Sequence, residues 1–413
     1  SAYPYRQYNT YSRTLKSTDV HTAVLENDYI KAVFLPDFGG RLWSLTDKTT
    51  GKNLLYTNDV IRFSNLSTRN AWFSGGVEWN MGIIGHSPLS NDPLFTASGT
   101  TDSGVPFLRM YEYERIREAE YQMDFWLEEK SRSLNCRMRI VNHTDQVIPM
   151  YWWSNMAVPE YPSGQIIVPA ATAYTCKNWE VYKVNVPEVD GNNIFHYESI
   201  PDQIDYFFDI PYECPKYIAN VNKDGYGLLQ TSTRRLRARK LFSWGHNEGS
   251  DRWQHFLTED AGPYIEIQAG LGKTQYGCLP MAPHTAWEWL EQYGPVHLPQ
   301  TTSSQDNCQY IEQHVSSEEL ERLLQTSASF AHQKAAVVSS GSTHGAMRNL
   351  EATVSPKKKA LSDHLDFGGC PENEWTHLLT KGSFVTADPD QIPGDFQCAA
   401  VYYEQLKKAV KTT

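Results

Sequence analysis

The chain predicts a mainly β fold of packed antiparallel sheets with an α-helical C-terminal appendage, and three observations lead there. Alternation of apolar and polar residues recurs from about residue 20 to 300. Gly, Pro and Asn clusters punctuate those runs, with almost no helical periodicity between them. After about residue 310 apolar residues repeat at helical intervals instead. The expected organisation is an N-terminal arm over 1–20, a β domain over 21–305 and a helical extension over 306–413.

Residues 29–35 read as the first clear strand, stopped by Pro36 and then Gly39-Gly40; 41–45 follow as its partner, and 47–52 form a turn. Further strands are expected at 121–127, 134–141, 147–153, 227–230, 234–242 and 264–269. The run Arg234-Arg235-Leu236-Arg237-Ala238-Arg239-Lys240 alternates and suggests one solvated strand face. Ser316-Ser317-Glu318-Glu319 has capping-box spacing, and Leu320, Leu323, Leu324 and Phe330-Ala331 continue as a helix. The polar stretch 339–359 reads as loop, and a last helix is expected at 396–410. The helical extension either docks on the sheets or serves association, including contact with a second copy.

A net charge of −11 and a pI near 5.6 exclude a sustained basic surface for nucleic acid or anionic lipid. No apolar run approaches the roughly 18 residues of a membrane span, so no membrane partner is expected. Seven cysteines, scattered and without a C-x-x-C pair, fit a reducing compartment and a cytoplasmic location. A trimmed leader stays open, and the sequons at Asn65 and Asn142 would matter only in a secreted protein. Walker, dinucleotide, H-E-x-x-H, EF-hand and Gly-x-Ser-x-Gly patterns are absent, so neither metal nor cofactor is expected.

The chemistry-bearing residues sit among aromatics: the chain holds 12 Trp, 24 Tyr and 16 Phe. Pyranose rings offer C–H faces to stack and hydroxyls to bond, which is what aromatic rings beside carboxylates and amides accommodate. Tyr264-Ile265-Glu266-Ile267-Gln268-Ala269-Gly270 places Glu266 and Gln268 on one strand face. Glu266 is the first candidate base, with Gln268 orienting the substrate; the bland alternative is a carboxylate that only hydrogen-bonds. Glu78 lies in the Gly-rich Ser74-Gly75-Gly76-Val77-Glu78-Trp79-Asn80 as a candidate acid, with Trp79 as the apolar wall that would raise its pKa. Paired glycines can equally serve only a turn.

His86 and His246 are alternative acids, although a lone histidine is more often structural. His246 follows Trp244-Gly245 in a polar loop able to close over a sugar. Arg41 could bond hydroxyls or form a structural ion pair. Asn155, beside Trp152 and Trp153, and Glu291, after Trp287-Glu288-Trp289, complete the substrate-binding candidates, with core packing the competing role for the tryptophans.

Ile30-x-x-x-Phe34-Leu35-Pro36-x-x-Gly39-Gly40-Arg41-Leu42-x-Ser44-Leu45, followed by Asp47-Lys48-x-x-Gly51-x-x-Leu54-Leu55, resembles the start of aldose 1-epimerases and their galactose-mutarotase-like relatives. Val141-Asn142-x-Thr144 with Tyr151-Trp152-Trp153-Ser154-Asn155 is similar to the central strands carrying their catalytic histidine. Glu266-x-Gln268 resembles the late strand where a glutamate is general base. Closer still is an uncharacterised domain that precedes tetratricopeptide-like helices in microbial proteins, with Gly75-Gly76-x-Glu78-Trp79-Asn80-like and Trp244-Gly245-like motifs. The resemblance covers roughly residues 20 to 300 and implies a β-supersandwich. It departs where the epimerases place an Asn-His pair: the best register puts Tyr151 there, which leaves ring opening by their route without its acid.

The leading functional expectation is therefore a glycoside hydrolase acting on a mono- or oligosaccharide, with Glu266 and Glu78 as its carboxylate pair within about 10 Å. The alternatives are an aldose 1-epimerase-like isomerase, or a non-catalytic carbohydrate-binding domain whose helices recruit a partner.

Overall fold

Alternation along a strand becomes two faces in space. In the strand Trp152–Pro159, the side chains of Trp152, Met156 and Val158 enter the main core while Trp153 and Ala157 join clusters on the other side. The computed structural model describes residues 14–63, 72–299, 303–370, 372 and 374–382.

Two large antiparallel sheets carry the described residues. One runs in the spatial order Ala23–Glu26, Ile30–Leu35, Arg41–Asp47, Val77–Met81, Trp152–Pro159, Tyr264–Gly270, Ala238–Ser243, Ile204–Phe208, Thr172–Lys177 and Glu180–Asn185, with Lys52–Asn53 paired to Arg41–Asp47. The other runs Gln165–Ile167, Lys216–Val221, Tyr226–Ser232, Thr285–His297, Leu134–Asn142, Ala119–Trp126, Pro106–Glu114, Phe95–Thr100 and Ala336–Ser339. Val77, Met156, Ile265 and Ile267 of the first meet Met110, Met123, Met138 and Trp289 of the second in the core. Trp152 and Trp289 join the sheets edge to face at 5.0 Å, a contact worth about 0.5–1.5 kcal/mol beyond its buried area. This is the packed-sheet architecture expected from the alternation.

The helices Ser317–Thr326, Ala328–Ala331 and His344–Val354 dock on the outer face of the second sheet. Phe330 stacks on Phe107 at 5.0 Å, and Arg109 donates to the carbonyls of Phe330, Ala331 and Gln333. Three stretches differ from expectation. Residues 344–354 are helical rather than loop, because Ala346 packs with Phe95, Tyr111 and Phe367, and Glu351 pairs with Arg115 and Lys358. Tertiary contact overrides a polar local sequence there. Residues 234–237 form a turn and the strand begins at Ala238. Arg239, far from being solvated, is buried and donates to the carbonyls of Leu236, Ala238 and Lys216. The stretch 147–153 breaks at Tyr151 into Ile148–Met150, which pairs with Leu279–Met281, and Trp152–Pro159. The helix expected at 396–410, Cys398 and the Asn65 sequon lie outside the described residues. Among the described residues no helix is long and apolar enough to cross a membrane.

Candidate functional site

The outer face of the first sheet is roofed by connecting segments, so its polar side chains are buried without belonging to the core. Asn155 lies opposite Glu78 on one side and opposite Gln268 on the other, and Gln268 lies opposite Lys240. Glu266, two residues before Gln268, lies opposite Ala157 and Phe242. Two strand spacings, about 10 Å, separate the backbones that carry Glu78 and Glu266. Gly76 makes the approach to this row. Its φ of +70° suits glycine, and a Cβ there would stand 2.5 Å from the Leu42 carbonyl oxygen. Its N–H reaches the Tyr56 carbonyl at 2.8 Å and its carbonyl accepts from Ala157 at 2.9 Å, which sets Glu78 beside Asn155.

Two hydrogen-bonded groups meet at Asn155. On one side Gln268 Nε2 and Asn155 Nδ2 donate to Glu266 Oε2 at 2.8 and 3.2 Å. Gln275 Nε2 donates to Gln268 Oε1 at 2.8 Å, Lys240 Nζ donates to Gln275 Oε1 at 2.6 Å, and Lys240 pairs with Asp205 at 2.7 Å. On the other side His86 Nδ1 stands 3.0 Å from Glu78 Oε1, and Ser90 donates to the same oxygen at 2.8 Å. Arg41 lies 3.9 Å from Glu78; its Nη1 donates to the Phe73 and Gly75 carbonyls, and its guanidinium carbon sits 3.6 Å from the centre of the Phe73 ring.

Several polar atoms are left open. Among the described residues, Asn155 Oδ1 and the Arg41 Nε and Nη2 atoms are buried without a hydrogen-bond partner. Among the described residues both hydrogen bonds to Glu266 go to Oε2, and none goes to Oε1. Buried polar groups without partners cost stability, so a set of them on one row points to a polar ligand that completes them. His86, with 27% of its side chain exposed, is where the row reaches solvent, and its ring packs on Trp72 at 5.6 Å.

The two carboxylates are tuned in opposite directions. Burial raises the Glu266 pKa, and the neighbouring charge of Glu78 adds to the rise against the pull of Lys240 and His86. Burial also acts to raise Glu78, but His86, Arg41 and Ser90 outweigh it and leave the group below its ordinary value. His86 answers in the other sense: burial works against its charge, and Glu78 overcomes that and raises its pKa. Burial thus prevails at Glu266, while the charged and hydrogen-bonding partners together prevail at Glu78.

Of the residues anticipated from sequence, Glu266, Gln268, Glu78, Asn155, Arg41 and His86 come together here. Trp244 stands at the margin, packed with Tyr264 and Trp72. Four are placed elsewhere. Trp79 and Trp152 face the core, where Trp79 packs on Phe125, because their strands turn the odd residue one way and the even residue the other. Glu291 is sealed between the sheets, accepting from Ser154, Trp289, Gln230 and Tyr293 at 2.7–3.0 Å. His246 pairs with Glu160 at 3.0 Å and lines a different groove with Asp251 and Gln254. Lys240, Gln275 and Ser90 were not anticipated. Lys240 carried a signal, since it lies two residues from Phe242 and so on the same strand face, but the surrounding arginines hid it. No group of three or more His, Cys, Asp or Glu side chains able to hold a metal ion occurs among the described residues.

Solved structures share this architecture. A TPR-domain containing protein from Parabacteroides distasonis is 27% identical, with a TM-score of 0.65 over 72% of this chain and 51% of that one. The chain thus spans about half the length of that relative. The Slr1438 protein from Synechocystis is 15% identical with a TM-score of 0.51, covering 70% of this chain and all of its own. A galactose mutarotase-like protein from Clostridium acetobutylicum is 11% identical with a TM-score of 0.49, over 68% of this chain and 99% of that one. A family model described as a domain of unknown function, DUF5107, matches residues 1–286, and the chain belongs to that family.

Proposed function

We propose that the chain is a sugar 1-epimerase, opening and reclosing an aldose ring at its anomeric carbon. The observation that carries this is the arrangement of Glu266 and His86 on either side of Asn155, one carboxylate with an unengaged oxygen and one imidazole held by Glu78. Ring opening needs a base for the O1 proton and an acid for the ring oxygen. Glu266 Oε1 takes the proton from O1 while the His86 imidazolium gives one to the ring oxygen. The C1–O5 bond breaks to leave the open aldehyde, and closure on the other face returns both protons. Asn155 Oδ1 and Arg41 Nη2 supply an acceptor and a donor for the remaining hydroxyls. The sequence resemblance to aldose 1-epimerases supports the same assignment for Glu266, with His86 supplying the acid that Tyr151 cannot.

The hydrolase expected from sequence has weaker support. A carboxylate partner must be free to attack carbon, activate water or donate a proton. Glu78 is instead engaged by His86 at both oxygens and by Ser90. Polarimetry on freshly dissolved α-aldohexoses decides the matter. Faster equilibration than in buffer alone is expected, with a loss of about 100-fold or more in Glu266→Gln. No acceleration on any aldose, or release of reducing ends from oligosaccharides, would overturn the reading.

A further inference from the structure

A second row of polar side chains crosses the outer face of the other sheet, on the far side of the core from Glu266. Trp126 lies opposite Asn135, and Asn135 lies opposite Gln292. This row floors a groove of about 430 Å³, walled on one side by the helix Ser317–Thr326 and on the other by residues 101–103, Glu128 and Ser131. That volume falls within the roughly 300–1,000 Å³ of small-ligand sites.

The floor is fixed. Gln292 Nε2 donates to Asn135 Oδ1 at 2.7 Å, which ties the two amides together and leaves one donor and one acceptor facing outward. Asn135 Nδ2 and Gln292 Oε1 make no hydrogen bond among the described residues, and neither is among the atoms sealed from solvent, so both open onto the groove. A directed donor therefore lies beside a directed acceptor. Glu128 is held at the side by Trp126 Nε1 at 3.0 Å and Ser103 at 2.9 Å, and Arg322 on the rim is tied to Glu319 by two bonds of 2.7 and 2.6 Å.

This arrangement selects a ligand class. An anion would face Glu128 and Asp102 with the nearby arginine already paired, and a cation would leave Asn135 Nδ2 unmatched. Hydroxyl groups both donate and accept, so adjacent hydroxyls satisfy both open atoms. We propose that the groove joining Asn135 and Gln292 to the helix Ser317–Thr326 is a second saccharide-binding site, non-catalytic and separate from the Glu266 row. It holds a glycan against the face where the helical segments dock. The assignment does not depend on the epimerase reading.

Saturation-transfer NMR with maltotetraose, cellotetraose and xylotetraose at millimolar concentration tests it. Thr326 is exposed on the groove wall, so Thr326→Trp obstructs the groove without touching the core. Glycan signal should weaken about fivefold or more in both Thr326→Trp and Asn135→Leu, a loss the size of one hydrogen bond. Aldose equilibration by Thr326→Trp should match the wild type. Absence of transfer to any of the three glycans, or transfer unchanged in a folded Thr326→Trp protein, would overturn the proposal. Failure of the polarimetry alone leaves it standing.

Discussion

His86 Nδ1 stands 3.0 and 3.1 Å from the two oxygens of Glu78, and each group moves the other's titration toward the charged form. The imidazole is thereby kept protonated to higher pH than its burial alone would permit.

That coupling predicts the shape of a pH profile. The proposed reaction requires Glu266 ionised and His86 protonated, so its acid limb would report Glu266, raised by burial, and its alkaline limb His86, raised by Glu78. In Glu78→Gln the burial effect on His86 is no longer opposed, and its proton is lost at lower pH. The alkaline limb of kcat/KM should move toward acid, with the loss relative to wild type growing to about tenfold as pH rises. An unmoved alkaline limb would remove His86 from the acid role.

His246→Ala should leave aldose equilibration within about twofold of wild type. Its ion pair with Glu160 is 40% exposed on the histidine side, and such pairs contribute about 0–1 kcal/mol. A large loss of kcat/KM by polarimetry would return His246 to the reaction.

Glu291→Ala should cost about 3–5 kcal/mol of stability, because four buried donors lose their acceptor at once. Urea unfolding measures this as a lower midpoint. A midpoint near that of wild type would contradict the buried network.

Glu112 predicts a stability trend with the opposite sign to an ordinary paired carboxylate. Burial raises its pKa to about 8, despite bonds from the Tyr113 and Ser342 N–H groups at 2.9 and 2.8 Å. The fold disfavours its charge, so stability is lost as pH climbs from the ordinary value of 4.5 toward about 8. Glu112→Gln lacks that loss and should melt above the wild type near pH 8, with the gap closing near pH 4.5. Parallel thermal melts across this range check the sign.

Alternation makes the sheets legible, and it alone puts Glu266 and Gln268 on one face. It could not say which face was which. In an ordinary antiparallel sheet one side meets water, and polar residues reveal it. Here both faces are covered, so Trp79 and Trp152 on the inner side are buried much as Asn155 and Glu78 are on the outer. Proximity in sequence to a carboxylate therefore misled for Trp79, which points away from its neighbour. Glu291 misled for a related reason: its strand turns it inward to Ser154, one residue from Asn155. The helix His344–Val354 was hidden because its stability comes from Tyr111 and Phe367, partners remote in sequence.

Strands drawn from the region of residue 41, residue 78, residue 155 and residue 266 stand side by side in the first sheet. During synthesis the earlier three emerge long before the fourth, so a nascent chain cannot assemble the polar row until Gly270 has cleared the ribosome. Until then Asn155 stands on a strand without one of its two neighbours, and Glu266 is the last carboxylate of the row to arrive.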